Sequence, residues 1–211
     1  MAKFEREKHV FTSEAFDEII KDTIRFFNGT PVHKLPPPER FLGTGVYAIY
    51  YIGKHKLYKK LYDINRLEFK LPIYVGKAVP QGWRQARNQE TGNGSTELFR
   101  RLTENSKSIN QVDNLNIEDF RCRFMILENA ASSLIGTVEA ALIREYRPIW
   151  NTSIDGFGNH DPGKGRYNQA KSEWDTIHVG RPWADKCLGI SPSTGKVEEK
   201  AETYFTKLNR K

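Results

Sequence analysis

GVYAIYYIG at residues 45–53 and PIYVGKA at residues 72–78 are the two stretches that decide the fold of this 211-residue chain. Both are short runs rich in β-branched and aromatic residues, a composition typical of buried β-strands. Each run also places a tyrosine close to a glycine. We predict that the two runs form antiparallel neighbouring strands, and that residues 54–71 are an insertion in the connection between them.

The tripeptide Tyr51-Ile52-Gly53 follows Tyr47 so closely that both tyrosines belong to one strand. At ~3.3 Å per residue, two side chains four residues apart lie about 13 Å from each other on the same face. Groups that act on one bond must lie within a few ångströms of it. The partner of Tyr47 must therefore come from the neighbouring strand, and Tyr74 is the candidate.

Helix caps and apolar periodicity predict the remaining elements. Residues 1–40 form an N-terminal arm, residues 41–155 a core and residues 156–211 a C-terminal extension, all in one compact unit. The expected fold class is α+β, with a small antiparallel three-stranded sheet flanked by helices. The other predicted elements are a helix from Thr12 or Ser13 to about Phe27, a helix from Ser95 to about Ser108, a strand from Phe120 to Leu127, and a helix from Ser132 or Ser133 to Tyr146.

The composition indicates a protein that attracts polyanions. The formal net charge is +7, and lysine or arginine contacts to phosphates favour nucleic-acid binding through counterion release. Many basic proteins never bind DNA, so the charge alone leaves the partner open. No apolar run approaches the ~20 residues needed to span a bilayer, and no secretory signal is visible at the N-terminus. Cys122 and Cys187 are interpreted as reduced thiols.

Three isolated polar residues follow the two strands. Glu139 interrupts an apolar helical stripe in TVEAALI, and a buried acid needs a partner or a cation. Arg101 lies in the helical run LFRRLTEN, and Asn151 follows Pro-Ile-Trp. Each also has an ordinary structural interpretation, because helix arginines are usually solvated and an asparagine at this place can simply fix a turn.

Taken in chain order, these residues resemble the signature of the GIY-YIG nuclease superfamily over roughly residues 41–155. The resemblance implies that Tyr47 and Tyr74 are the two motif tyrosines and that Arg101 is the family arginine. It further implies that Glu139 is the single metal-binding acid and that Asn151 closes the pattern. One Mg²⁺ (or Mn²⁺) per active site is expected, because Mg²⁺ keeps most of its waters.

The chain departs from that signature at Asn105, where many members of the family carry a histidine. Asparagine can orient a hydroxyl or a water but cannot take a proton at neutral pH. We therefore consider Lys77, which directly follows the second motif. An ammonium close to the Tyr47 hydroxyl would favour the phenolate.

Two other chemistries are not favoured. The stretch GNHDPGKG at residues 158–165 is similar to a phosphate-binding loop, but Gly165 stands where a Mg²⁺-binding serine or threonine is needed. No nucleotide cofactor is therefore expected. The five histidines and two cysteines show no zinc-binding spacing.

The segments PPPERF, IYVGKAVP and WNTSIDGFGNH are similar to those of type II restriction enzymes that cut CCGCGG. This resemblance implies double-stranded DNA as partner, a homodimer or higher homo-oligomer, and a prokaryotic cytoplasmic location without membrane association. A homing or repair-type nuclease, or a non-cleaving DNA-binding protein on the same core, stays an alternative. The candidate DNA contacts are Lys59, Arg66, Arg84, Arg87, Lys164 and Arg166.

Overall fold

A four-stranded antiparallel sheet forms the centre of the protein. The computed structural model describes residues 3–80 and 94–208. The predicted strand pair is confirmed, because Tyr47 lies opposite Gly76 and Ile49 lies opposite Tyr74. The spatial order of the strands is β1-β4-β2-β3. The strands are β1 (Val32–Lys34), β2 (Gly45–Tyr51), β3 (Tyr74–Ala78) and β4 (Phe120–Ile126).

The prediction of a three-stranded sheet was wrong. Strand β1 lies within the predicted N-terminal arm and pairs antiparallel with β4 from Val32 to Lys34. Three residues are too few to show the alternation that identifies a strand. The strand exists because β4 offers it a free edge, and that is a tertiary property.

Seven α-helices surround the sheet in the described part of the chain. The first begins after Ser13, whose hydroxyl accepts a hydrogen bond from the Phe16 backbone N–H. The fourth begins later than predicted, because a 3-10 turn occupies Asn129–Leu134. The helices are α1 (Glu14–Gly29), α2 (Lys59–Asn65), α3 (Glu97–Asn110), α4 (Ile135–Tyr146), α5 (Ile149–Thr152), α6 (Glu173–Ile177) and α7 (Thr194–Leu208).

Both faces of strand β2 are buried, which explains why its sequence is apolar without interruption. One face packs against α1 and α4 in an apolar cluster that includes Val46, Phe27 and Leu142. The other face contributes Tyr47 to a larger cluster that also contains Trp174 of the C-terminal extension. The extension therefore completes the core beneath the motif tyrosines.

Residues 54–71, predicted as a hairpin insertion, contain helix α2. Asn65 at the end of this helix closes the connection, because its amide nitrogen donates to the carbonyl oxygens of Tyr51 and Leu71 at 3.2 and 2.9 Å. Its amide oxygen accepts from the Leu71 N–H at 3.0 Å. Among the helices that the structure describes, none is long and apolar enough to cross a membrane.

Candidate active site

The two motif tyrosines meet on one face of the sheet. The ring centroids of Tyr47 on β2 and Tyr74 on β3 are 6.2 Å apart. Gly76 makes this approach possible, since a Cβ at residue 76 would lie 2.5 Å from the Tyr47 hydroxyl oxygen and 3.0 Å from Tyr74 Cε1. Because Gly76 has no side chain, the Tyr47 phenol can occupy the space above it.

Tyr47 is held in a nearly dry environment, with 3% of its surface exposed. Asn105 on α3 donates its amide N–H to the Tyr47 hydroxyl oxygen at 2.8 Å. Burial raises the pKa of Tyr47 well above 10.0, and nearby Tyr74 raises it further. The Asn105 hydrogen bond and the Arg101 charge act in the opposite direction. Tyr47 is thus a protonated phenol at neutral pH, and Asn105 and Arg101 both favour its ionised form.

Arg101 brings a positive charge from α3 to both tyrosines. Its guanidinium charge favours the phenolate form of Tyr47 and of Tyr74, and so lowers the pKa of each. Nη1 of Arg101 donates to Glu104 Oε2 at 3.2 Å and also contacts Nε2 of His160. The family signature in the sequence does not include His160.

Glu139 on α4 lies beside β3 and is paired with Lys77. The Lys77 Nζ to Glu139 Oε2 distance is 2.5 Å, with 35% and 19% of the two side chains exposed. The Glu139 charge raises the pKa of Tyr47 and of Tyr74, so the carboxylate is within electrostatic reach of both phenols. Contrary to the prediction from the sequence, the Lys77 ammonium does not lie at the Tyr47 hydroxyl. Tyr47 lies opposite Gly76, and the next residue, Lys77, points to the other face of the sheet, where it bonds Glu139.

This pair leaves a donor set that suits a hydrated divalent cation. Lys77 binds Oε2 of Glu139, and no hydrogen bond to Oε1 is found among the described residues. Within residues 3–80 and 94–208, no group of three or more His, Cys, Asp or Glu side chains could enclose a metal. Mg²⁺ is commonly bound through one or two carboxylates, waters and substrate phosphate oxygens. A single partly exposed carboxylate, that of Glu139, fits that pattern.

Asn151 binds the backbone of the second motif strand, β3, and makes no hydrogen bond to Glu139 among the described residues. Its side-chain oxygen accepts from the Val75 N–H and its side-chain nitrogen donates to the Val75 carbonyl, each at 2.8 Å. The Trp150 N–H also donates to the Ile73 carbonyl at 3.0 Å. Helix α5 therefore covers the outer edge of β3. It provides hydrogen-bond partners for the backbone groups of that edge and fixes the backbone between Tyr74 and Gly76.

A loop from the C-terminal extension completes the site. We call residues 156–160 the active-site loop. The ring of Phe157 packs edge-on against Tyr74 at 4.9 Å. Gly158 lies against the Tyr74 hydroxyl, since a Cβ there would be 2.7 Å from it. The GFGNH segment at residues 156–160 begins five residues after Asn151, and that proximity is the signal that could have linked it to the site.

Arg181 anchors the active-site loop from within the core. Only 1% of its surface is exposed, and its guanidinium packs on the ring of Trp174 at 4.4 Å. Every bond that it donates goes to the loop backbone or to one buried carboxylate. These bonds reach Asp175 Oδ1 at 2.6 Å, the Phe157 and Asn159 carbonyls at 3.1 Å each, and the Gly156 carbonyl at 2.8 Å.

Four of the six predicted DNA-contact residues lie in two surface regions of the described structure. Lys59 and Arg66 are exposed at the two ends of α2 in the insertion, and Lys164 and Arg166 are exposed in a 3-10 turn after the active-site loop. Arg84 and Arg87 lie outside the described residues. A role in DNA binding stays a prediction for all six.

Comparison with known protein families agrees with the sequence signature. The family model described as Eco29kI GIY-YIG domain matches residues 39–205. Comparison with curated proteins gives no significant match. The family match covers most of the 211 residues and includes both tyrosines, Arg101, Glu139 and the active-site loop. The chain therefore belongs to the Eco29kI GIY-YIG domain family and is a GIY-YIG nuclease domain of the restriction type.

Proposed function

We propose that this protein is a type II restriction endonuclease that hydrolyses phosphodiester bonds at a short GC-rich palindrome in double-stranded DNA. CCGCGG, the site cut by Eco29kI, is the first candidate sequence. The observation that carries the proposal is that two phenols lie side by side on the sheet, with one guanidinium and one carboxylate close enough for their charges to act on both. The net charge of +7 supports a polyanionic substrate.

Tyr47 is the proposed acceptor of the proton from the attacking water. Its phenolate oxygen would take that proton while the Asn105 N–H and the Arg101 charge stabilise the ionised form. Burial keeps the phenolate scarce at neutral pH. The cleavage rate should therefore rise between pH 7 and pH 9, by up to tenfold per unit for a single deprotonation.

Arg101 and Tyr74 are the proposed partners of the phosphate. A guanidinium can hold two phosphate oxygens through parallel N–H bonds, and it does so more effectively as negative charge builds in the transition state. Tyr74 can donate its hydroxyl proton to a third oxygen or to the attacking water. Both side chains lie next to Tyr47, where the nucleophile would be activated.

Glu139 would hold a single Mg²⁺ (or Mn²⁺) through Oε1, while Lys77 keeps the carboxylate oriented from Oε2. When bound, the ion supplies positive charge to the phosphate and to the departing 3′ oxygen. Asn151 keeps β3 in place and so fixes the height of Tyr74. We assign Lys77 and Asn151 positioning roles.

A palindromic target requires two-fold symmetry, so we propose a homodimer or a larger homo-oligomer. Such an enzyme would act in the cytoplasm of a prokaryote. Its base and phosphate contacts would come from the insertion and the C-terminal extension. The candidates are Lys59, Arg66, Arg84, Arg87, Lys164 and Arg166.

The direct test is plasmid cleavage by the purified protein with Mg²⁺ or with EDTA. A plasmid with CCGCGG sites should give discrete fragments, and a matched plasmid without them should stay intact. Tyr47→Phe and Glu139→Gln should lose cleavage, while Tyr62→Phe, a tyrosine of helix α2, serves as the matched control.

The other outcomes identify the alternatives. A gel shift without cutting would indicate a non-cleaving DNA-binding protein. Ladders without sequence preference would indicate a structure-selective or repair-like nuclease. A cleavage rate that falls between pH 7 and pH 9 would contradict the role of Tyr47 as proton acceptor.

A further inference from the structure

His160 contacts the guanidinium that the proposed mechanism assigns to the phosphate. Its Nε2 accepts from Nη1 of Arg101, on the same nitrogen that donates to Glu104. Within the described residues, Nε and Nη2 of Arg101 have no hydrogen-bond partner. Two protein acceptors thus hold one corner of the guanidinium, and the opposite edge stays available for two phosphate oxygens.

We propose that His160 is a positioning residue that orients Arg101 for the scissile phosphate, and that the C-terminal extension thereby forms part of the active site. This inference rests on the proposed function. It assigns the extension a role in the reaction itself, in addition to the DNA contacts considered above.

The placement of His160 is built into the fold. Arg181 donates to three backbone carbonyls of the active-site loop, those of Gly156, Phe157 and Asn159. His160 is the next residue in the chain, so its backbone starts from a fixed point. The same loop packs on Tyr74 through Phe157. Arg181 therefore fixes the loop that packs against Tyr74 and that brings His160 to Arg101. Tyr74 and Arg101 are the two groups that would contact the phosphate.

The charges around His160 favour the neutral imidazole that this role requires. Partial burial of the His160 ring lowers its pKa below 6.5, and the charges of Arg101, Arg100 and Arg181 lower it further, while Glu104 opposes them. A neutral histidine offers one ring nitrogen as an acceptor, whereas a protonated histidine offers none. Protonation would break the contact and place two positive charges side by side.

The test compares His160→Ala and His160→Gln with the wild-type protein. His9→Gln in the N-terminal 3-10 turn is the matched control. The measurements are the single-turnover cleavage rate at saturating protein with Mg²⁺, and DNA affinity without a divalent ion. Thermal melting of each variant verifies folding, and His160 is exposed, so both substitutions should be tolerated.

We expect His160→Ala to slow cleavage about tenfold or more, because small misplacements of a reacting group have large effects on rate. DNA affinity should change less than about threefold, since one surface contact to the guanidinium is lost and its charge stays. His160→Gln, whose amide oxygen can accept from Arg101, should restore the rate to within about threefold. The wild-type rate should fall more steeply below pH 6.5 than that of His160→Gln.

Two results would overturn the inference alone. One is wild-type cleavage by His160→Ala. The other is equal loss in His160→Ala and His160→Gln with an unchanged pH profile. Failure of the wild-type protein to cut any DNA would refute the proposed function and this inference with it.

Discussion

Gly76→Ala tests the geometry on which the candidate active site depends. The new methyl group would lie 2.5 Å from the Tyr47 hydroxyl oxygen and 2.6 Å from Tyr47 Cζ. An ordinary contact needs at least 3.4 Å, so the phenol would have to move by about 0.9 Å. Tyr47 cannot simply swing away, because it is buried and bonded to Asn105. Part of the strain would pass to Tyr74, whose Cε1 is 3.0 Å from the same methyl position.

The expected consequences are separable. Overpacking of a dense core costs about 1–3 kcal/mol of unfolding free energy, which urea denaturation measures. A displacement of the proton acceptor by about 1 Å should slow single-turnover cleavage about a hundredfold. The matched control is Gly195→Ala in helix α7, where a Cβ meets nothing within 4 Å. That variant should be slightly more stable than wild type, because alanine favours a helix.

A Gly76→Ala variant with wild-type cleavage and a wild-type urea midpoint would refute the reasoning. It would mean that the Tyr47 hydroxyl does not pack over Gly76. A variant with lowered stability but wild-type cleavage would support the packing of Tyr47 over Gly76. It would contradict the role of Tyr47 as proton acceptor.

Three further variants test the supporting contacts. Asn151→Ala leaves the buried Val75 N–H and carbonyl without their two partners and should cost about 1–3 kcal/mol in urea denaturation; an unchanged midpoint would contradict the role of this pair. Burial lowers the pKa of His178 well below 6.5, so the folded state favours the neutral ring. The contribution of His178 to the unfolding free energy is complete above pH 6.5 and should decline below it by up to about 1.4 kcal/mol per pH unit. His178→Gln should reduce this slope, and an identical slope in both proteins would disprove the role of His178. Lys77→Met removes the counterion of Glu139 and should slow cleavage about tenfold at every pH, with the rise between pH 7 and pH 9 retained; loss of that rise would show that Lys77 acts on the proton acceptor instead.

Local patterns in the sequence were sufficient for the main elements of the fold. The β-branched and aromatic runs predicted β2 and β3 and their antiparallel pairing, because burial on both faces demands continuous apolar side chains. The strand spacing also selected Tyr74 over Tyr51 as the partner of Tyr47. The structure places those two rings 6.2 Å apart.

Contacts between distant segments could not be predicted in this way. Asn151 appeared to belong near Glu139, yet it binds the backbone of β3, because only the docked α5 shows which edge it reaches. Lys77 follows the motif in sequence but points to the opposite face from Tyr47 and meets Glu139. Proximity along a strand is a poor guide to proximity in space, since neighbouring side chains alternate.

The sequence by itself determined the strand pair, the two tyrosines and the polar residues available for chemistry, because these depend on composition and short-range periodicity. Only the tertiary structure decided which partner each residue has and that β1 joins the sheet. It also decided that a loop more than fifty residues beyond Arg101 supplies His160 to that side chain. Such contacts arise when the packing of the whole core brings remote segments together, and no local pattern records that event.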